Sequence, residues 1–212
     1  MKRYAFIDVQ NTETTAFKVL GFEIDWGLLY TYLKEHWTCE QVHVYPGIDY
    51  TDNSRKEIFK NLEILGARVT PKFYKVYKVE DKVKMHTCTA CGVFQSIRIP
   101  MGHQWKCNCD VELTMDLLTS LEPNSEILIF TGDGDFSLLI EKAITICSKV
   151  YIISSAKKQS KTWRYFTSRF STKLREIISM YPDQIIFLEL NDWKKQIQKN
   201  GVKENAVQAD VL

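Results

Sequence analysis

No stretch of this chain approaches the roughly 18 consecutive apolar residues of a membrane-spanning helix, so no membrane association is expected. Charge of one sign is scarce as well. The 28 Lys and Arg residues nearly balance 26 Asp and Glu, and a net charge of +2 argues for no partner by itself. The opening MKRYAFIDVQ has a basic pair but a run of only four apolar residues between it and Asp8, which does not read as a signal peptide, and the expected location is cytoplasmic. Internal repeats and low-complexity linkers are also lacking. What remains is 45% apolar and 25% charged over 212 residues, the profile of a soluble globular chain with room for one domain and an elaboration.

The six cysteines are unevenly spread. Cys39 and Cys147 stand alone in apolar settings, as buried core thiols do. Cys88, Cys91, Cys107 and Cys109 fall within 22 residues, and without a secretion signal this clustering favours metal over disulfides. The pattern is C-x2-C, fifteen residues, then C-x-C, which suits one structural Zn²⁺ gripped by four thiolates. Between the pairs, VFQSIRIPMGHQWK reads as two strands around a Pro-Met-Gly turn. The second pair is one residue short of the usual spacing, which leaves His86 or His103 open as a substitute ligand. The competing reading is a surface loop with reduced thiols.

Along the rest of the chain, strands and helices alternate. Strands are expected at 3–8, 41–47, 126–131, 149–154 and 185–190, with an extended, alternating segment at 67–79. Helices are expected at 25–37, 53–66, 110–121, 136–146 and 171–180. In the helix at 110–121, Val111, Met115 and Leu118 share one face and Asp110 stands at the N-cap position. Repeated strand–helix–strand units predict a three-layer α/β/α sandwich with a mostly parallel central sheet. The expected organisation is a main domain of residues 1–79 and 110–190, an inserted zinc-binding hairpin at 80–109, and a tail or docked helix at 191–212.

Two aspartates, Asp133 and Asp135, flank one glycine just after the most apolar strand, with no cation beside them in sequence. In a doubly wound sheet, function gathers at the carboxyl ends of strands where the strand order reverses. Asp8 ends the first strand, and Asp110 opens the helix leading into the strand before Asp133. If the strands ending near Asp8 and Asp133 are neighbours, four carboxylates converge. Such a set suits one or two Mg²⁺ or Mn²⁺ ions, which take oxygen ligands and can activate water against a phosphodiester. Gly134 is expected to let the turn fold tightly enough for both acids to point inward. Taken singly, the same residues read as a solvated turn and a helix cap.

The segments FIDVQN (6–11), CDVELTMDLL (109–118) and TGDGDFSLLI (131–140), in that order, resemble the NYN/LabA-like branch of the PIN-domain nucleases. VYIISSA (150–156) and STKL (171–174) are similar to that family's last strand and following helix. The resemblance covers roughly residues 3–190, interrupted by the insert. It implies metal-dependent cleavage of RNA, with Asp8, Asp110, Asp133 and Asp135 as metal-binding acids. It further implies that Asn11 binds metal-linked water or substrate and that Asp116 is a second helix acid. Six residues from Asp110, however, is about 240° around a helix, which favours a supporting role for Asp116. The usual DGxN reads DVQN here, with Val9 in place of glycine.

Residues 157–175, KKQSKTWRYFTSRFSTKLR, hold seven Lys or Arg and no acid, interleaved with Trp163, Tyr165, Phe166 and Phe170. Cations that hold phosphates and rings that stack on unpaired bases suit single-stranded RNA. Lys157, Lys158, Lys161, Trp163, Arg164 and Arg169 are the candidate contacts; a solvated basic helix with aromatics in the core is the plainer reading. Two function classes follow: a metal-dependent endoribonuclease, or a non-catalytic RNA-binding or assembly module with the same fold. The acid set favours the enzyme, and a DNA nuclease is its lesser variant. A homodimer is compatible with either, but the sequence does not fix the oligomeric state.

Overall fold

The apolar run RYAFID and the fully buried run EILIF lie side by side at the centre of the sheet. Both are too short for a helix and too apolar for an edge, which is the signature of strands covered on both faces. The computed structural model describes residues 1–162 and 165–199, with the side chains at 105–106 and 160–167 outside the description. In chain order, β1 (Arg3–Asp8) leads into α1 (Val9–Thr15), which widens into a π-helical turn at Ala16–Leu20. Then come α2 (Trp26–Glu35), β2 (Gln41–Tyr45), β3 (Gly47–Ile48), α3 (Asn53–Ile64), β4 (Arg68–Val69) and β5 (Lys72–Phe73). Four strands of a projecting arm follow: β6 (Lys75–Lys78), β7 (Lys82–Thr87), β8 (Phe94–Ile99) and β9 (His103–Lys106). The chain returns through α4 (Asp110–Thr119), β10 (Glu126–Phe130), α5 (Ser137–Ile144), β11 (Lys149–Ser154), β12 (Lys158–Thr162) and β13 (Tyr165–Ser168). It then continues through α6 (Thr172–Met180), β14 (Ile185–Glu189) and α7 (Lys194–Ile197).

Six strands form one sheet in the order β14-β11-β10-β1-β2-β4, every pair parallel. Alternation within β1 divides the core. Ala5 and Ile7 face α2, α3 and the C-terminal Trp193 and Ile197, while Tyr4 and Phe6 face α4, α5 and α6. Helix starts are fixed by side-chain caps: Asp25 accepts from the Leu28 amide at 3.0 Å and Asp52 from the Arg55 amide at 2.9 Å. The expected α/β/α sandwich is the observed one. Of the segment 191–212, α7 is docked through buried Trp193 and Ile197; residues 200–212 lie outside the described residues.

Four details add to or alter these expectations. The helix at 110–121 buries Leu113 and Leu117, whereas Val111, Met115 and Leu118 face outward. Both stripes are apolar, and sequence alone does not say which meets the sheet. The N-cap of that helix is Cys109, so Asp110 is its first helical residue. Within 157–175 a β12–β13 hairpin precedes α6, and Phe170 is buried against Phe187. Phe170 is therefore a core residue with no face left for a base. Finally, α1 is an added helix; its polar sequence VQNTETT carries no apolar stripe to announce it.

The arm is the largest departure. Lys75 stands opposite Lys106, Lys78 opposite His103, Lys82 opposite Ile99 and Thr87 opposite Phe94, so one unbroken antiparallel register runs from root to tip. The ladder lapses between the two pairs of strands, where Val79–Asp81 face Pro100–Gly102: Pro100 has no amide to donate and Gly102 takes a left-handed φ of 71°. Twelve steps at ~3.3 Å each make an arm about 40 Å long if straight. The arm therefore begins at Lys75, inside the segment 67–79 expected to be extended. Cys88 and Cys91 occupy the tip turn, and Cys107 and Cys109 the root. The four thiols expected to share one zinc lie at opposite ends of a ribbon, and neither His86 nor His103 joins them in a ligand set among the described residues.

Candidate active site

From β1 the chain builds β2 and β4 on one side, then returns to place β10 on the other, so the switch point lies between β1 and β10. Asp8 is the last residue of β1 and also the N-cap of α1, where its carboxylate accepts from the Asn11 amide at 3.1 Å. Val9 is buried and helical, so the position asks for no conformation that only glycine supplies. Asn11 crosses the seam: its side-chain oxygen accepts from the Gly132 amide at 2.9 Å, pinning the turn after β10 to α1. A Cβ at Gly132 would press on Ser154 and the Arg169 carbonyl, and one at Gly134 would overlap Ser171. Gly134 has no positive φ; close approach, not an unusual turn, requires glycine there.

Asp8, Asp110 and Asp133 line one pocket of about 240 Å³, together with Asn11, Tyr45, Cys107, Cys109 and Arg169. Burial, followed by the charges of Asp110 and Asp133, raises the Asp8 carboxyl to about 6. Burial, with Asp133 and Asp135 adding repulsion, also raises Asp110, against a hydrogen bond from Asn108 that lowers it. The Asp110 amide is itself held by the Asn108 side chain at 2.7 Å. Asp133 accepts from the Asp135 amide at 3.0 Å and is exposed at the pocket mouth. Asp135 lines a second pocket of about 530 Å³, which shares Asn11, Asp133 and Arg169 with the first. Asp116 lines neither. It accepts from the Tyr45 hydroxyl at 2.9 Å and so braces a pocket wall from behind.

Ion pairs among the described residues involve Glu13, Glu23, Glu112, Glu122 and Glu126, and none of the four aspartates of the site. Clustered carboxylates that form no ion pair among the described residues, with Arg169 the one described cation lining their pocket, are the donor chemistry that a hard divalent ion fits. Among the described residues no group of three or more His, Cys, Asp or Glu side chains stands close enough to hold a metal ion, so the acids share a pocket without forming a ready-made ligand set.

The second pocket is polar and partly basic, lined by Gln159, Ser168, Arg169, Ser171 and Lys173 beside the Asp133–Asp135 turn. Of the basic residues expected to bind RNA, Arg169 lies on both pockets, and Lys157 and Lys158 are exposed away from them. The Lys161 side chain, Trp163 and Arg164 lie outside the described residues. Sequence reasoning missed Lys173, which the STKL segment contained, and Tyr45, whose place in the wall depends on β2 lying next to β1. The placement of Cys107 and Cys109 on the pocket was missed too. Burial raises both thiols, Cys109 to about 12, and the Cys107 sulfur donates to the Lys72 carbonyl at 3.3 Å.

A family model described as NYN domain matches residues 3–174. The low amplitude and bright protein LabA of Synechococcus elongatus is 26% identical over 107 residues. That match takes in 50% of this chain and 48% of LabA, so the chain spans about half the length of this relative. Among solved structures, a protein of unknown function from Vibrio parahaemolyticus aligns with a TM-score of 0.56 at 17% identity. It covers 90% of this chain and 94% of that one, a likeness of fold alone.

Proposed function

This chain belongs to the NYN domain family, and from that premise we propose that it is a divalent-metal-dependent endoribonuclease acting on single-stranded stretches of RNA. The observation that carries this reading is the pocket at the switch point, where Asp8, Asp110 and Asp133 line one cavity, form no ion pair among the described residues and have only Arg169 as a described cation in the lining. Asp8, Asp110 and Asp133, with Asp135 at the mouth, would hold Mg²⁺ or Mn²⁺. When bound, the ion polarises a phosphoryl oxygen and makes water a nucleophile at neutral pH.

The chain's own residues supply the rest. Asp8, whose carboxyl burial raises to about 6 in the metal-free chain, is ionised at neutral pH and so available to hold the ion. Asn11 holds the Asp133 turn at a fixed distance from Asp8, so the two acids approach a phosphodiester from fixed positions. Arg169 and Lys173 offer positive charge to neighbouring phosphates along the second pocket. The direct test is incubation of the purified chain with labelled single-stranded RNA and DNA in Mn²⁺, Mg²⁺ or EDTA. Metal-dependent internal cleavage of RNA is expected. RNA bound but uncut in either metal would leave the binding-module reading in its place.

A further inference from the structure

The Cys88–Cys91 turn sits at the end of an arm whose tip residues are exposed or half-exposed among the described residues. Cys88 accepts back from the Gly92 amide and donates to the Val93 carbonyl, both at 2.9 Å, and Gly92 takes a left-handed φ of 71° to close the turn. This folding brings the two thiols into hydrogen-bond contact and turns the Cys91 and Ala90 amides toward the Cys88 sulfur. The pair is thus arranged as half of a tetrahedral zinc site.

The other half is not in the same chain. Cys107 and Cys109 are at the root, about 40 Å away along a straight ribbon. Among the described residues no third His, Cys, Asp or Glu completes a set with the tip. We propose that the tip is closed by the same turn of a second copy of this chain, one Zn²⁺ bridging two arms through Cys88 and Cys91 of each. Two identical half-sites about a twofold axis supply four thiolates, and an isologous contact closes on itself without propagating.

A second observation fits the same occupant. Cross-strand register puts Val83, Met85 and Phe94 on one face of the arm, and all three are more than half exposed. Ile97 and Ile99 lie exposed on the other face. A two-stranded ribbon is marginally stable alone, and a paired arm would cover this apolar surface near the tip. The bridge does not depend on the nuclease reading, since the tip lies at the far end of the arm from the acidic pocket.

The test uses the full chain, reduced and supplied with Zn²⁺, with metal content and molecular mass measured together. One zinc ion per two chains and a dimer that a chelator converts to monomer are expected. The Cys88→Ser, Cys91→Ser double variant should be zinc-free and monomeric and should melt with the chelator-treated parent, because the substituted side chains are at a surface turn and only the bridge is lost. Cys107→Ser, Cys109→Ser should retain both zinc and dimer. One zinc per monomer, lost with either cysteine pair, would overturn the proposal in favour of a single-chain site. A zinc-free monomer, or a dimer indifferent to chelator, overturns it equally.

Discussion

The side-chain oxygen of Asn11 accepts a hydrogen bond from the Gly132 amide at 2.9 Å, joining the first helix to the turn that carries Asp133. Gly132 is buried, so removing the acceptor leaves an amide without a partner. Asn11→Ala should therefore destabilise the chain by about 1–3 kcal/mol. For a chain of this size that is a fall of about 2–4 °C in melting midpoint per kcal/mol. Because the Asp8–Asp133 spacing loosens, cleavage should fall by roughly tenfold or more. Calorimetry paired with a cleavage assay checks both. A variant that melts and cleaves like the parent would mean that the bridge positions nothing.

Asp133→Asn keeps shape but removes a charge from the pocket. Metal-dependent cleavage should drop on the order of a hundredfold, since an ion's electrostatic stabilisation amounts to several kcal/mol. RNA binding should hold or tighten, because one repulsion with phosphate is gone. Equal cleavage by variant and parent would place the activity elsewhere.

Asp8 links the site to pH. Its carboxyl titrates at about 6 in the folded chain, raised by burial and by Asp110 and Asp133, against an ordinary value of 3.8. Between about pH 4 and 6 the folded state holds more protons than the unfolded state, so stability is lost as the pH rises through that window. Metal-free Asp8→Asn should thus melt higher than the parent at pH 7, by an amount on the order of 1 kcal/mol, and its stability should change less over pH 4–6. It should also cleave nothing. A parent whose metal-free melting point does not fall between pH 4 and 6 would contradict the assignment.

The two acids of α4 should separate cleanly. Asp110 lies in the pocket and Asp116 behind Tyr45, so Asp110→Asn should abolish cleavage while Asp116→Asn lowers it only a few-fold. Tyr45→Phe should behave like Asp116→Asn, with a stability loss of about 1 kcal/mol from the missing hydrogen bond. If Asp116→Asn were as inactive as Asp110→Asn, the acid behind the wall would have a direct role.

Much of this architecture was legible in the sequence, and what was not has physical reasons. Strands such as 126–130 and 149–154 announce themselves because both faces are buried and nothing polar interrupts them. The meeting of Asp8 with Asp133 followed from the rule that parallel strands end on one rim, and the β1–β10 pairing met its condition. The arm was opaque because KFYKVYKV alternates equally well as an edge strand and as a free ribbon. Only the register with 103–106 decides between them. Cysteine spacing is likewise one-dimensional: C-x2-C and C-x-C look adjacent in sequence and lie at opposite ends of the ribbon. Capping geometry moved the α4 boundary by one residue and so changed Asp110 from cap to helical residue.

The last prediction concerns how RNA is held. Arg169 reaches both pockets, and its position is fixed by the backbone: the Ser171 amide donates to the Gly132 carbonyl at 3.0 Å, tying this loop to the Asp133 turn. Lys173, the second residue of α6, lines the second pocket beside Gly134. Phosphates next to the cleaved bond would therefore meet these two cations, while the acids meet the scissile phosphate itself. Each lost phosphate contact removes about 0.7 from the slope of log affinity against log salt for a single strand. The double variant Arg169→Ala, Lys173→Ala should therefore bind more weakly at low salt, with a slope shallower by about 1.4. Lys157→Ala, Lys158→Ala, on exposed residues outside both pockets, serves as the comparison and should change the slope less. An unchanged slope in the first variant, with a full change in the second, would move the RNA path off the second pocket and onto the outer edge of the β12–β13 hairpin.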